Sequence, residues 1–239
     1  MIEASLWGGL AALSLLIGFV LGECRLSNRT VGLIMGFGSG ALLSALAYEL
    51  VPESVIGGWG AAVWFAAGAL VFFGGDWVID HWGGLHRKTI AGRQHEGSGG
   101  AVFLGTLLDA VPESLVLGMG LAMGGSIGVA FLVAVFISNL PEGVAGTVNL
   151  VAAGHRRRSI FWMWAALAVL SAGCSGLGYG LVGWIPSADD ALAQAFAGGA
   201  VLTMLADTMI PEAYEHGGRM AGLMTVVGFA VAATLSVLA

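Results

Sequence analysis

Charge is scarce in this chain of 239 residues, where nine Lys and Arg and fifteen Asp and Glu make up only 10% of the sequence. A soluble domain needs polar cover over its surface and cannot be assembled from such a composition. Cysteine is scarcer still. Cys24 and Cys174 stand far apart with no Cys-x-x-Cys pattern, which excludes a disulfide framework and a thiolate metal site. The leader MIEASLWGGL carries an acidic residue, no basic one, and no small-residue cleavage site, so the first apolar run is expected to stay as a helix. Histidine is missing from every apolar run: His81, His86 and His95 share one polar loop, His155 sits beside arginines and His216 follows the seventh run. No His-Glu-x-x-His motif is present, which argues against an embedded metalloprotease, and no Ser-His-Asp set can assemble at mid-membrane. Neither an enzymatic activity nor a nucleic-acid partner is expected.

What remains is apolar. Hydrophobic residues make up 57% of the chain and the mean hydropathy is +0.89. The runs approach the ~20 residues that a helix needs to cross a bilayer. Polar breaks mark eight of them, at about 4–22, 31–51, 58–79, 100–123, 127–151, 160–183, 190–213 and 219–239. The expected fold is therefore an all-α polytopic membrane protein forming one transporter domain over 1–239, with a three-histidine loop at 81–99. Every Lys and Arg falls in an alternate connection: Arg25 and Arg29, then Arg87, Lys88 and Arg93, then Arg156, Arg157 and Arg158, then Arg219. Basic loops stay in the cytoplasm, so both termini are expected outside, in the plasma membrane, and 81–99 inside. A miscount by one span would scramble that alternation.

Forty glycines accompany the apolar runs, as small residues do where membrane helices approach closely. Gly32, Gly36 and Gly40 share one helix face, which reads as packing inside the bundle ahead of a subunit interface. Such glycine-lined faces leave a homodimer open as an assembly.

Carboxylates lie where lipid-compatible side chains belong. Asp109 and Glu113 fall near the middle of the fourth span and Glu142 near the middle of the fifth. Glu49 and Glu53 lie toward the outer end of the second, and Asp207 and Glu212 toward the inner end of the seventh. Asp76 and Asp80, near the inner end of the third, read as interfacial. An ionised carboxylate at a helix centre costs about 2.5–3.5 kcal/mol on the insertion scale. A group of them persists if it is protonated, faces water or holds a cation, and a divalent metal offsets both repulsion and desolvation. Spacing favours the cation. Asp109 and Glu113 are four apart and share a helix face, as do Ser138 and Glu142, Glu49 and Glu53, and Thr208 and Glu212.

Each of these spans also repeats Pro-Glu, in LVPES, AVPES, NLPEG and MIPEA. Proline has no N–H, so the carbonyl four residues earlier loses its helical donor. At Pro112 and Pro141 a break in the helix wall is expected, with a backbone oxygen turned toward a cavity. For Glu53 and Glu212 the plainer reading, a helix ending at the membrane surface, stands equally.

The motifs occupy spans two, four, five and seven. This arrangement fits inverted repeats of spans 1–3 and 6–8 around a central pair, a design that places an ion site at the repeat interface. With "DAVPES" and "SNLPEG" in the central spans and "MLADTMIPEA" in the seventh, the chain resembles the Zrt/Irt-like (ZIP) family of divalent metal transporters, prokaryotic-type, over essentially its whole length. The resemblance implies eight spans, outward termini and transport of a divalent cation into the cytoplasm. It also implies a metal centre of Asp109, Glu113, Asn139 and Glu142, with Ser138 a weaker member and Glu49 or Glu53 contributing from the second span. The family's central helices often carry His-Asn-x-Pro-Glu-Gly. Here Asp109, Ala110 and Ser138 depart from it, and the sixth span offers no carboxylate, so one principal metal site is expected rather than two.

Oxygen ligands without imidazole suit magnesium, calcium and manganese by hardness, whereas zinc usually takes nitrogen or sulfur. The resemblance nevertheless puts zinc first, with manganese, iron and cadmium behind it, as transported substrate and not as catalytic cofactor. Glu49 and Glu53 would attract the ion, and Asp207 and Glu212 would receive it on the cytoplasmic side. Two other readings compete: a proton-coupled carrier of a non-metal solute, and a membrane metal sensor.

Overall fold

A computed structural model describes residues 1–23, 26–51, 58–79, 81, 99–122, 129–184 and 190–238. The apolar runs become helices: α1 (Ile2–Glu23), α2 (Asn28–Ala45), α3 (Gly58–Ile79), α4 (Gly99–Ala122), α5 (Val129–Ala152), α6 (Arg157–Trp184), α7 (Asp190–Met204) and α8 (Arg219–Leu238). Two of them continue through a widened turn. After α2 comes a π turn, Leu46–Leu50, and after α7 a π turn, Leu205–Met209, leads into a further helical stretch, Ile210–Gly217. Among the described residues there is no strand, and eight helices are long and apolar enough to cross a membrane. The chain is a multi-pass membrane protein.

Local signals account for the helix ends. Ser27 caps α2, its hydroxyl accepting the Thr30 N–H at 3.1 Å, which satisfies one of the donors a helix start leaves open. Between α7 and α8 the chain turns on Gly218 at φ +61, a left-handed backbone that a side chain would strain.

Burial separates inner from outer helices. Within their most apolar windows, 67% of α2, α4 and α5 is buried against 17% of α3 and α8. The outer faces of α3 and α8 show Val63, Leu70, Phe73, Leu223 and Val226, side chains that only hydrocarbon solvates well. The main core joins Leu42 and Leu46, Phe72, Leu117, Phe131, Val201 and Met204. A second cluster, with Leu15, Ile160, Trp164 and Leu167, holds α1 and α6 against α4 and α5.

Helix pairing follows one rule. α2 lies along α8 and α3 along α7; α1 lies along α5 and α4 along α6; α5 also meets α2, and α4 meets α7. Exchanging α1–α3 with α6–α8, and α4 with α5, turns each of these pairs into another. The smaller contacts obey it too, since α1 meets α4 as α6 meets α5, and α3 meets α4 as α8 meets α5. The corner between α7 and α8 has its counterpart at 52–57, outside the described residues.

Glycines make the exchange concrete. A Cβ on Gly40 would run into the Thr225 carbonyl of α8, and one on Gly228 into the Phe37 carbonyl of α2. In the other pair, a Cβ on Gly199 would meet the Phe65 carbonyl of α3, and one on Gly68 the Phe196 carbonyl of α7. The same residue spacing takes Gly40 to Gly199, Phe37 to Phe196 and the first π turn to the second. Backbone-to-backbone contact of this kind needs small residues at the crossing. Gly32 packs on His216 and Gly217 and Gly36 on Ala221, so this face serves packing inside the bundle.

Candidate metal-transport site

α4 and α5 pack against one another and are wrapped by the rest, α4 by α1, α3, α6 and α7, and α5 by α1, α2, α6 and α8. Both remain α-helical through their prolines, Pro112 and Pro141. The gap expected in the helix wall at these two positions is thus carried inside continuous α-helix. A proline removes one hydrogen bond, and neighbouring helices on every side hold the rest of the ladder. The carbonyls of Leu108 and Ile137 still lack the N–H that a non-proline residue would bring them.

The widened turns fall in the other two motif helices, where they were not foreseen. Val51 N–H reaches back five residues to the Leu46 carbonyl, and Ile210 N–H likewise to Leu205. Pro52 and Pro211 follow directly. A proline ring presses on the turn before it, and a π turn gives that ring room. The sequence signal was the matched pair "AYELVPE" and "ADTMIPE".

The central polar residues are withdrawn from the surface. Asp109 and Ser138 are 0% exposed, Glu113 1%, Asn139 and Glu142 3%. Ser138 Oγ donates to the Val135 carbonyl at 2.9 Å, which leaves its lone pairs available as acceptors. Asn139 Oδ1 is buried and has no hydrogen-bond partner among the described residues. α2 packs on this region at Gly38, where an added Cβ would stand 2.9 Å from Ser138 Cα.

The flanking residues differ. Asp207 is exposed and Glu212 half-buried, and the last turns of α7 carry a bond of 2.8 Å from His216 Nδ1 to the Glu212 carbonyl. Thr208 Oγ1 donates to the Met204 carbonyl at 2.7 Å. Glu49 takes its backbone place in the first π turn, while Glu53 lies outside the described residues. So do Asp80, His86 and His95; His81 lies against Trp77 with ring centroids 4.1 Å apart and the planes tilted by 43°.

No three His, Cys, Asp or Glu side chains among the described residues gather closely enough to hold a metal ion by themselves. Asp109, Glu113 and Glu142 therefore do not form a three-carboxylate cage on their own. An ion held between α4 and α5 would need oxygen from Asn139, Ser138 or the backbone as well.

Sequence reasoning missed other buried polar groups. Asp76, read as interfacial, is 5% exposed, and Ser44 of α2 and Gln194 of α7 are enclosed at 0% and 1%. A single polar residue in an apolar run cannot announce which way it faces. No protein-family model matches this chain, and no curated protein matches it.

Proposed function

We propose that this protein carries divalent metal cations across a membrane, with the ion passing between α4 and α5. The observation that carries the reading is the burial of Asp109, Glu113 and Glu142 in the two enclosed helices of a membrane protein, beside Asn139 with its unengaged side-chain oxygen. Intramembrane carboxylates are costly unless they serve an ion or proton path. Pro-Glu on both helices adds carbonyl oxygen to carboxylate oxygen, a hard donor set for a doubly charged ion.

The exchange of α1–α3 with α6–α8 supports inverted repeats, because partners five spans apart must cross in opposite directions. Carriers built this way place the ion between the repeats. The similarity of the motifs to the ZIP family supports zinc as first substrate, with manganese, iron and cadmium as alternatives. The arrangement of basic loops supports entry into the cytoplasm across the plasma membrane, with both termini outside. Glu49 and Glu53 collect the ion on the outer side, and Asp207 and Glu212 take it up on the inner side.

Purified protein in liposomes, assayed for uptake of zinc, manganese, iron, cadmium and magnesium, tests the proposal. Glu113→Ala and Glu142→Ala are each expected to abolish uptake. Wild-type rates from both variants would remove the site. Transport of a non-metal solute coupled to protons, or tight ion binding without uptake, would move the assignment to a proton-coupled carrier or a sensor.

A further inference from the structure

An apolar cavity of about 650 Å³ lies between α3, α4 and α7. Its floor is formed by Phe72, Pro112, Ala197 and Ala200, all enclosed, and its mouth by Val71, Val78 and Leu104, which are exposed on the outer face of the bundle. A second apolar cavity of about 490 Å³, reaching toward Trp64 and Leu181, shares the walls Leu115, Phe196 and Ala197 with the first. The two adjoin at these shared walls, and the first runs as a groove along α3. Among the described residues, no charged side chain lines either.

We propose that this groove is a binding site for one acyl chain of a bilayer phospholipid. Water gains nothing from a dry apolar cleft, and the solvent at this depth of a membrane protein is hydrocarbon. The groove is elongated, as a chain is. The larger cavity follows α3 from Val71 to Ile79, about 12 Å at 1.5 Å per residue, close to half of a hydrocarbon core about 30 Å thick. A chain from one leaflet therefore fits along it.

The helix wall is shaped for an occupant. Gly74 lines the cavity, and a Cβ built there meets nothing within 4 Å. Ala197 and Ala200 keep the opposite wall low. On α4 the lining residues Leu108, Val111, Pro112 and Leu115 form one face, a single position round from Asp109 and Glu113. The bound chain braces α4 at its proline turn, where Pro112 brings the Leu108 carbonyl no N–H.

Photo-crosslinking decides the matter: the intact protein is placed in phosphatidylethanolamine–phosphatidylglycerol vesicles containing a phospholipid with a diazirine on its acyl chain, and labelled residues are mapped by mass spectrometry. Phe72, Ala197 and Ala200, at most 5% exposed, are expected to label at least as strongly as Leu223 and Val226, which are 54% and 65% exposed on α8. Gly74→Phe, filling the groove from α3, should cut labelling of Ala197 and Ala200 severalfold while leaving Leu223 unchanged. Ala200→Leu fills it from α7 and should do the same to Phe72, which covers the case in which the first variant fails to fold. Labelling that simply tracks exposure, or that persists in both filled variants, means bulk lipid only and overturns the proposal. Metal transport enters none of these readouts.

Discussion

The same dipeptide, Pro-Glu, is handled in two ways in this molecule. In α4 and α5 it lies within unbroken α-helix, and its glutamates are almost wholly enclosed. In α7 it follows a π turn, its glutamate is half-buried and the nearby Asp207 is exposed; α2 shows the same π turn before Pro52. The lesson is that a sequence motif specifies a local problem, a missing N–H and a crowding ring, but not its solution. Where neighbours enclose the helix, the hydrogen bond is forgone and the oxygen stays inside. Toward the helix end, the backbone widens by one residue instead.

Several measurements would break or sharpen that contrast. The largest effect is expected at the enclosed pair, where Glu113→Ala or Glu142→Ala should lower metal uptake by more than the ~10–100-fold that outer-shell partners typically cost. Asp207→Ala, by contrast, should leave most of the rate. Equal losses at all three positions would erase the distinction between inner and outer carboxylates.

Next come the crossings. Gly40→Leu and Gly199→Leu would each drive a side chain into a facing backbone and should destabilise the protein by at least the ~1–3 kcal/mol of ordinary overpacking, read as a drop in thermal midpoint in detergent. Gly222→Leu, where an added Cβ meets nothing within 4 Å, should be close to neutral. If the two exchange-related positions respond very differently, the pairing of α2–α8 with α3–α7 is only superficial.

The prolines give a subtler result. Pro211→Ala removes the ring that the second π turn accommodates, so Leu205–Met209 should tighten into α-helix and turn Glu212 by about 100°, one residue at 3.6 per turn. Amide hydrogen exchange would report it as new protection in that turn. Pro141→Ala should instead restore a donor for the Ile137 carbonyl without changing the type of helix. The smallest effect is expected at Arg157→Ala, which breaks the 3.2 Å ion pair with Glu23 between α6 and α1. An exposed pair contributes only about 0–1 kcal/mol, and the thermal midpoint should hardly move.

Much of this architecture was legible in the sequence. The eight spans could be counted because apolar length and the alternation of Arg and Lys are both one-dimensional signals. The observed ends, such as Gly58–Ile79 and Arg157–Trp184, fall within a few residues of the expected ones. That Asp109, Glu113 and Glu142 would be sheltered was legible as a cost, since carboxylates in mid-span demand a reason, and all three are enclosed. Facing was not legible. Asp76 is turned inward although it lies near a helix end, and Ser44 and Gln194 are enclosed without any motif to mark them. Nor was the partnership of helices, since which glycine meets which carbonyl depends on tertiary crossing angles. The π turns were half visible: the matched segments around Glu49 and Asp207 showed that the two regions were alike, but not that their hydrogen bonds skip a residue.

Gly218 has a mechanical meaning beyond its turn. A single residue joins the stretch Ile210–Gly217, which continues α7, to the first turn of α8, so neither can slide or tilt without dragging the other. Through the tight crossings at Gly228 and Gly199, each of them is also keyed to α2 or α3. Four helices are thereby linked into one stiff frame, and a tether lengthened by a few residues at this corner would loosen all of it at once.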